Sequence, residues 1–478
     1  MKWCFQPVQR FLRLREKVNW EIEDERIELL LELGEYIKEW QIQSLPDVGY
    51  IIRPEEIELL LSDSLLLPDG VEFIDFVVCK GYTDEPKRDE DGKLLLRRTT
   101  PLHRVLRYNI SGREEKVRQL FKIYNKFDMN YAEDSGLTHF HVACFLGFQD
   151  IITEFLEVGQ DPNCIWQETG ESGFHLILEE SCSKALVELL LKHGANPNLA
   201  NAQGLTPLHI ICYKYSDNID LVNMLFVLRY DKYQPVQLDA QDKLGNTPLH
   251  VAAHKCCRNL IEFLLRKGAD PNVTTTEENV GLTPLHICTM NNSDEDLVQM
   301  FFQLCNELNH PPQLNVQDKS GNSPLHWALR LNYTADVSLD DLRFDELNHP
   351  LQIDARDKCG KTPLHLALQY RNDIVAEILM IFLLRRGANP NGADALGSTP
   401  LHEICNKKKD KGLAKLFFDI NDEQKRTLQV IAVDNEGRTP LELAVKHFLP
   451  RVVVLLFDHG ADTSSLVFPP KSYFDKEY

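Results

Sequence analysis

Apolar positions along this chain come in short runs that recur at a long period. From position 100 onward a Thr or Ser is followed, usually through Pro and Leu, by a His and then by small or aliphatic residues. After a polar break comes a second apolar run, as in Leu260-Ile261-Glu262-Phe263-Leu264-Leu265. Thr/Ser-x-x-His occurs nine times in this setting, at Thr100, Thr138, Ser172, Thr206, Thr247, Thr283, Ser323, Thr362 and Thr399, spaced by 34 to 41 residues. Thr439 opens a tenth copy that keeps Thr-Pro-Leu and lacks the His. The hydroxyl is suited to cap a helix, and Pro at the first helical position has no N–H to leave unpaired. The second run predicts another helix, ended by Gly268-Ala269-Asp270-Pro271-Asn272, where Gly accepts the left-handed conformation and Pro forbids continuation. Asp-x-x-Gly sequences, such as Asp242-Lys243-Leu244-Gly245 and Asp357-Lys358-Cys359-Gly360, predict tight turns just before each Thr-Pro. A unit of this length cannot bury its own apolar face, so the copies are expected to stack.

Hairpin, helix, helix, repeated over residues 99–462, resembles the ankyrin-repeat family. The expected fold class is an all-α repeat solenoid of about ten helix pairs with β-hairpin connections and an N-terminal helical cap. The resemblance implies an L-shaped helix pair with a projecting hairpin, a motif His that hydrogen-bonds within and between repeats, and protein recognition by hairpin tips and the ends of first helices.

Several segments depart from the repeat. Residues 228–240, 304–316, 343–355 and 420–433 replace the Gly turn with longer polar connections, which are expected to make longer hairpin arms. Ile374 to Arg386 carries four extra residues, about one helical turn, so that helix is expected to lengthen without rotating its apolar face. Repeat seven offers only Val337-Ser338-Leu339-Asp340-Asp341-Leu342 for its second helix, and local flexibility is expected at 332–345. Residues 1–98 form an N-terminal segment. Glu21, Glu25, Glu28, Glu32, Glu35 and Glu39 line one face of a helix there, and Val18, Ile22, Leu29, Leu33 and Ile37 another. A second helix is expected at Pro54-Glu55-Glu56. Ile74 to Gly81 aligns by type with Ile261 to Gly268 as a degenerate half-repeat, and residues 84–98 read as a charged linker. Capping is the preferred reading of the segment, with a partner-docking module as the alternative. Residues 463–478 are a short aromatic tail that either caps or frays.

Composition narrows the function. No apolar run reaches the length of a membrane span, and the start lacks a signal peptide's hydrophobic segment, so an intracellular, cytoplasmic protein is expected, nuclear entry remaining open. Twelve cysteines without paired spacing fit a reducing compartment; Cys144, Cys212 and Cys405 read as core. A net charge of −20 argues against a surface that tracks nucleic-acid phosphates. No metal, cofactor or catalytic site is expected. The nine motif histidines lie a full period apart and cannot converge on one ion. Gly360-Lys361-Thr362 imitates a phosphate loop but has Ala355 where its first glycine belongs. His402-Glu403-Ile404-Cys405-Asn406 has Asn406 where a zinc-protease helix needs its second His.

The expected function is therefore a non-catalytic scaffold, adaptor or inhibitor that binds a protein or extended peptide on a concave face roughly 100 Å long. From the family's contact positions, the candidates are Phe145, Tyr213, Tyr215, His254, Met290, Arg330, Tyr333, Tyr370, Lys407 and Lys408, with Trp166 added from the connection before repeat three. Trp327, directly after a motif His, reads as core. Lys243, Lys319 and Lys358 share one turn position, either as a small basic edge or as separately solvated side chains. The alternative function is the substrate-recognition subunit of a ubiquitin ligase, with residues 1–98 docking the ligase. The oligomeric state is left open.

Overall fold

Helix starts follow from the motif's own atoms. Thr247 is extended (φ −90°, ψ 165°), and its Oγ1 accepts from the His250 amide at 3.4 Å to start the helix Pro248–His254. At the tenth copy Glu442 replaces the His: its Oε2 accepts from Thr439 N–H at 2.8 Å, which completes a capping box of the ordinary kind.

The computed structural model describes residues 9, 12–39, 48–68, 70–107, 112–181, 183–215, 218–228, 235–276, 280–291, 296–331, 351–370 and 373–463. The chain divides into two units, Met1–Gln237 and Leu238–Tyr478. Each is a stack of helix pairs, an all-α repeat solenoid.

The first unit opens with α1 (Glu23–Glu39), the short α2 (Val48–Ile51), α3 (Pro54–Ser64) and α4 (Val71–Cys79). Next come α5 (Pro101–Arg104) with α6 (Arg113–Ile123), α7 (His139–Leu146) with α8 (Gln149–Glu157), α9 (Gly173–Glu180) with α10 (Lys184–Lys192), and α11 (Pro207–Lys214) with α12 (Ile219–Val227). First helices pack on first helices, α5 on α7 and α7 on α9, and α10 packs on α12 in the second row. The stack continues upstream, because α3 packs on α5 and α4 packs on α6. The half-repeat expected at Ile74–Gly81 is thus the second helix of a full degenerate pair. Helix α1 lies against both α3 and α4 through Leu29, Leu30, Leu33 and Ile37, all buried, whereas Ile22 is exposed.

Two polar devices fix this end. Arg26 and Asp63 are 6% and 0% exposed, and the guanidinium holds the carboxylate with Nε–Oδ2 at 2.6 Å while Nη1 donates to the Trp20 carbonyl at 2.7 Å. Lys116 of α6 is 2% exposed, and its ammonium donates to the Leu67 carbonyl at 2.5 Å, just past the C-terminus of α3, where a cation suits the helix dipole.

Residues 84–98 are a hairpin arm, which corrects the linker expectation. Asp89 Oδ1 accepts from the amides of Asp91 (3.1 Å) and Lys93 (2.8 Å), Gly92 takes φ 80°, and Leu95 N–H returns to the Lys87 carbonyl at 2.8 Å. The charges are engaged: Arg98 pairs with Asp84 at 2.5 Å and with Glu58 at 3.2 Å, and it stacks on Tyr131.

The second unit pairs α13 (Pro248–His254) with α14 (Arg258–Arg266) and α15 (Pro284–Met290) with α16 (Leu297–Glu307). It then has α17 (Pro324–Leu331), α18 (Pro363–Leu368) with α19 (Asp373–Arg385), α20 (Pro400–Cys405) with α21 (Leu413–Glu423), and α22 (Pro440–Lys446) with α23 (Pro450–Asp458). Helix α19 has 13 residues against 9 in α14, the extra turn read from sequence, and its buried Val375, Ala376, Leu379, Met380, Leu383 and Leu384 keep one face inward. The segment 332–345, where flexibility is expected, and residues 343–350 of the connection 343–355 lie outside the described residues.

The longer connections do not make longer arms where they are described. In 304–316 and 420–433 the extra length goes into the helix, 11 residues in both α16 and α21. Asn309 (φ 52°) and Lys425 (φ 56°) then take the left-handed position that Gly268 (φ 100°) takes after α14. Side chains at this position cost more than Gly, and the motif is therefore absent from the sequence there although the turn is made.

Arms are tied to one another by backbone. In the first unit, Gln167 N–H donates to the Ser135 carbonyl (2.9 Å) and Ala202 to Thr169 (2.8 Å). In the second, Thr276 donates to Leu244 (3.1 Å), Lys319 to Val280 (2.7 Å), Lys358 to Ser320 (2.8 Å), Ala395 to Cys359 (2.9 Å) and Asn435 to Leu396 (2.9 Å). Close approach explains Gly245: a Cβ there would sit 2.2 Å from the Thr276 amide nitrogen. Among the described residues only Ile165–Trp166 and Glu171–Ser172 pair as strands, antiparallel; isolated bridges join Arg88 to Leu94, Arg97 to Ala132 and Ala132 to Thr138.

Candidate functional site

The motif histidines build the frame on which any site must sit. In His250, Nδ1 accepts from the Thr247 amide at 3.1 Å, and Nε2–H reaches the Leu282 carbonyl at 3.0 Å in the next repeat. His141 to Cys164 (3.0 Å), His286 to Asn322 (3.2 Å), His365 to Ser398 (3.0 Å) and His402 to Arg438 (3.1 Å) repeat the arrangement. With both nitrogens committed, the neutral ring is the form that fits. Burial pushes the imidazoles of His103, His141, His175 and His286 down to about 4.

Each arm leads directly into the start of a first helix, as Asp242–Gly245 leads into Thr247 and Pro248–His254, and the first helix ends at the short turn to the second. At the helix ends a side chain repeatedly reaches back to the preceding first helix. Tyr215 Oη–H donates to the Leu178 carbonyl at 2.9 Å, Lys214 Nζ to Glu179 at 2.7 Å, and Asn291 Nδ2 to Ala253 at 2.8 Å. Tyr370 Oη–H donates to the Leu329 carbonyl, and Lys407 Nζ donates to the Tyr370 carbonyl at 2.9 Å. These groups occupy the orphan carbonyls that every helix C-terminus leaves.

The expected contact residues therefore separate. Tyr370 is 9% exposed and Lys407 has a side chain 16% exposed, so both are corrected from contact residues to staples between repeats. Tyr215 is half-buried in the same role. Arg330 is exposed but spans to Asp357 of the next arm at 2.7 Å. Phe145 is half-buried with the Arg113 guanidinium 5.1 Å from its ring centre, and Met290 is half-buried at the end of α15. Trp166 is half-buried in its strand, Nε1–H donating to Ser135 Oγ at 3.1 Å. Tyr213, His254 and Lys408 are exposed, and Tyr333 lies outside the described residues. Trp327, read as core, is half-buried and donates to Asp318 at 2.8 Å.

Sequence reasoning missed exposed aliphatic side chains on the arms: Leu244 and Leu396 stand in the turns, Leu95 and Ile165 on hairpin legs opposite Lys87 and Ser172. Leu95 and Ile165 in the first unit and Leu244 and Leu396 in the second are 47%, 47%, 55% and 66% exposed. The signal was present in Asp242-Lys243-Leu244-Gly245 and Asp394-Ala395-Leu396-Gly397, where an aliphatic residue occupies the third position of a turn whose other residues are polar or small.

Comparison with known proteins agrees with this frame. Family models match residues 174–275 as ankyrin repeats (3 copies), residues 249–302 as ankyrin repeats (many copies) and residues 359–395 as an ankyrin repeat. Residues 174–302 and 359–395 thus belong to the ankyrin-repeat family. Relatives include the E3 ubiquitin-protein ligase KEG of Arabidopsis thaliana, 28% identical over 48% of this chain and 14% of that one. The B-cell lymphoma 3 protein homolog of Mus musculus is 30% identical over 30% of this chain and 29% of that one. The nuclear factor NF-kappa-B p105 subunit of Gallus gallus is 31% identical over 36% of this chain and 17% of that one. The chain thus spans less than a third of each of these relatives. A solved structure, the ankyrin repeat domain of Bcl-3, aligns over 60% of this chain and 100% of its own at 22% identity and a TM-score of 0.38.

Proposed function

We propose that this chain is a non-catalytic scaffold, adaptor or inhibitor that binds a protein or extended peptide on the arms and first-helix ends of each unit. One observation carries the reading: Leu95, Ile165, Leu244 and Leu396 hold apolar surface in solvent on arms whose backbones are tied to their neighbours. Rigid, exposed apolar anchors lose little entropy on binding, and that is the property of a recognition surface. The imidazole nitrogens and helix-end carbonyls are already used in holding the repeats together, which supports a binding rather than a catalytic role. Ten described cysteines stand without a disulfide, which supports a reducing compartment. Among the described residues no helix is long and apolar enough to cross a membrane. The packing of α3 on α5 and α4 on α6 supports capping for residues 48–98 over docking to a ubiquitin ligase.

The test is affinity capture from cell lysate with the full chain beside Ile165→Asp/Leu244→Asp/Leu396→Asp. A protein retained by the first and lost from the second, with thermal unfolding unchanged, is the expected result. Equal retention by both, or capture of nothing, contradicts the proposal. The tyrosines are poor probes: Tyr215→Ala and Tyr370→Ala remove staples between repeats.

A further inference from the structure

The turns that join first helix to second helix are cationic in the last two repeats of the second unit. Residues 406–415 hold five Lys and one Asp, and residues 446–451 add one Lys and one Arg with no acid, on a chain of net charge −20. The two turns are neighbours. Helix α20 packs on α22 and α21 on α23, and a hydrogen bond of 3.1 Å joins His447 Nε2 to Asn406 Oδ1.

The carboxylates at these turns are already engaged. Asp410 Oδ1 accepts from the amides of Gly412 at 3.3 Å and Ala414 at 3.1 Å, which occupies open N–H groups at the start of α21. Asp373, at the start of α19, takes Lys407 at 3.4 Å and Lys411 at 3.2 Å. Lys408 and Lys409 stay exposed in the first of the two turns, and Arg451 is exposed beside Pro450 in the opening turn of α23. Among the described residues none of these three forms an ion pair. A cation at a helix N-terminus also opposes the dipole, so Arg451 stands where an anion is favoured. Phe448, in the second turn, is 55% exposed at φ 53°. Left-handed backbone suits Gly or Asn and strains a bulky residue, so turn formation does not account for the ring.

From these turns we infer that residues 406–409 and 448–451 take a short acidic segment of a protein partner, its carboxylates against Lys408, Lys409 and Arg451 and an apolar side chain against Phe448. The inference rests on the protein-recognition reading above and adds the chemistry of the partner. Charge complementarity chooses the occupant: cations that meet no acid of their own chain draw carboxylates to one place, while the anionic remainder of the surface repels them. A nucleic acid runs past the turns into that repulsion, and these cations are too few to track its phosphates. An anionic membrane is broader and meets the same repulsion.

The experiment uses the full chain and fluorescence anisotropy. One probe is a labelled pool of short peptides in which Asp or Glu flanks a Phe or Leu; the other has Lys at the acidic positions. The acidic pool is expected to bind and to weaken as salt is raised, and the Lys pool is expected not to bind. Lys408→Glu/Lys409→Glu is expected to weaken the acidic pool by about tenfold or more. Phe448→Asn keeps a residue suited to the left-handed turn and is expected to weaken binding by about threefold or more with thermal unfolding no lower than the parent's. Lys358→Glu/Lys425→Glu, the same change of charge on an arm and at the far end of α21, is expected to leave binding unchanged. Failure of the acidic pool to bind, equal weakening by both lysine pairs, or full binding by Phe448→Asn each overturns the inference. So does tighter binding of a labelled single-stranded RNA, or of phosphatidylserine vesicles, that Lys408→Glu/Lys409→Glu abolishes. If the lysate capture succeeds while the acidic pool fails, this inference alone falls. If the capture fails as well, the reading beneath it falls too.

Discussion

Acidification from pH 6.5 toward about pH 4 is expected to unfold the protein, through the motif histidines. Their folded values are depressed: His103, His141 and His175 in the first unit and His286 in the second lie at about 4 against 6.5 for the free side chain. A depressed imidazole is neutral in the fold, so its contribution is complete above 6.5 and is lost as pH falls toward the folded value. The unfolded chain takes up the protons first. Each such ring costs the fold about 3 kcal/mol by pH 4, and three in one unit rival the 5–15 kcal/mol that holds an ordinary domain together. Burial lowers His326, His365 and His402 as well. Burial of Glu58, Glu171 and Glu403 works in the opposite direction, since raised carboxyl values favour the fold in acid. Those groups are fewer. Urea denaturation followed by circular dichroism at stepped pH checks this: stability should fall steeply below 6.5, and a flat profile down to pH 4.5 would count against the hydrogen-bonding scheme assigned to the motif.

Arg26→Ala is the second large effect. Removing the guanidinium leaves Asp63, 0% exposed, as a buried carboxylate without the partner that holds it at 2.6 Å. Breaking one side of a buried pair costs about 3–5 kcal/mol, whereas replacing both sides by apolar residues is often near neutral. The expected pattern in urea denaturation is therefore a strongly destabilised Arg26→Ala and an Arg26→Leu/Asp63→Leu variant that recovers most of the loss. A single variant within about 1 kcal/mol of the parent would mean that Asp63 finds water or another donor.

Local chemistry was legible in the sequence, and chemistry that links positions a full repeat apart was not. Thr247 and His250 stand three residues apart, and the Asp-x-x-Gly turns close on themselves, so their hydrogen bonds follow from spacing alone. The lengthened α19 was legible for the same reason: an added turn leaves the apolar face in place. By contrast, Tyr370 to Leu329 and Lys407 to Tyr370 span 41 and 37 residues, and nothing in the tyrosine or lysine distinguishes a staple from a contact residue. Lys116 was missed because a lysine reads as solvated unless the chain end it caps is known to lie beside it. The arm at 84–98 was missed because its turn, Asp89 to Gly92, precedes Thr100 by more residues than the other turns precede their Thr-Pro. For the face itself, position within the repeat located Tyr213, His254 and Lys408 at exposed sites; Leu244 and Leu396 were marked by the aliphatic third position of their turns, whereas Leu95 and Ile165 stood out only once the arms were seen to hold them clear of the core.

The side of the repeats that meets a partner decides how this protein works. Hydrogen–deuterium exchange on the full chain, with and without a protein recovered in the lysate capture, reads this directly. The expected result is protection of the arms and first-helix ends, for example around Leu244, Lys319, Lys358 and Leu396, with the second helices α14, α19 and α21 unchanged. Protection confined to those second helices would contradict it.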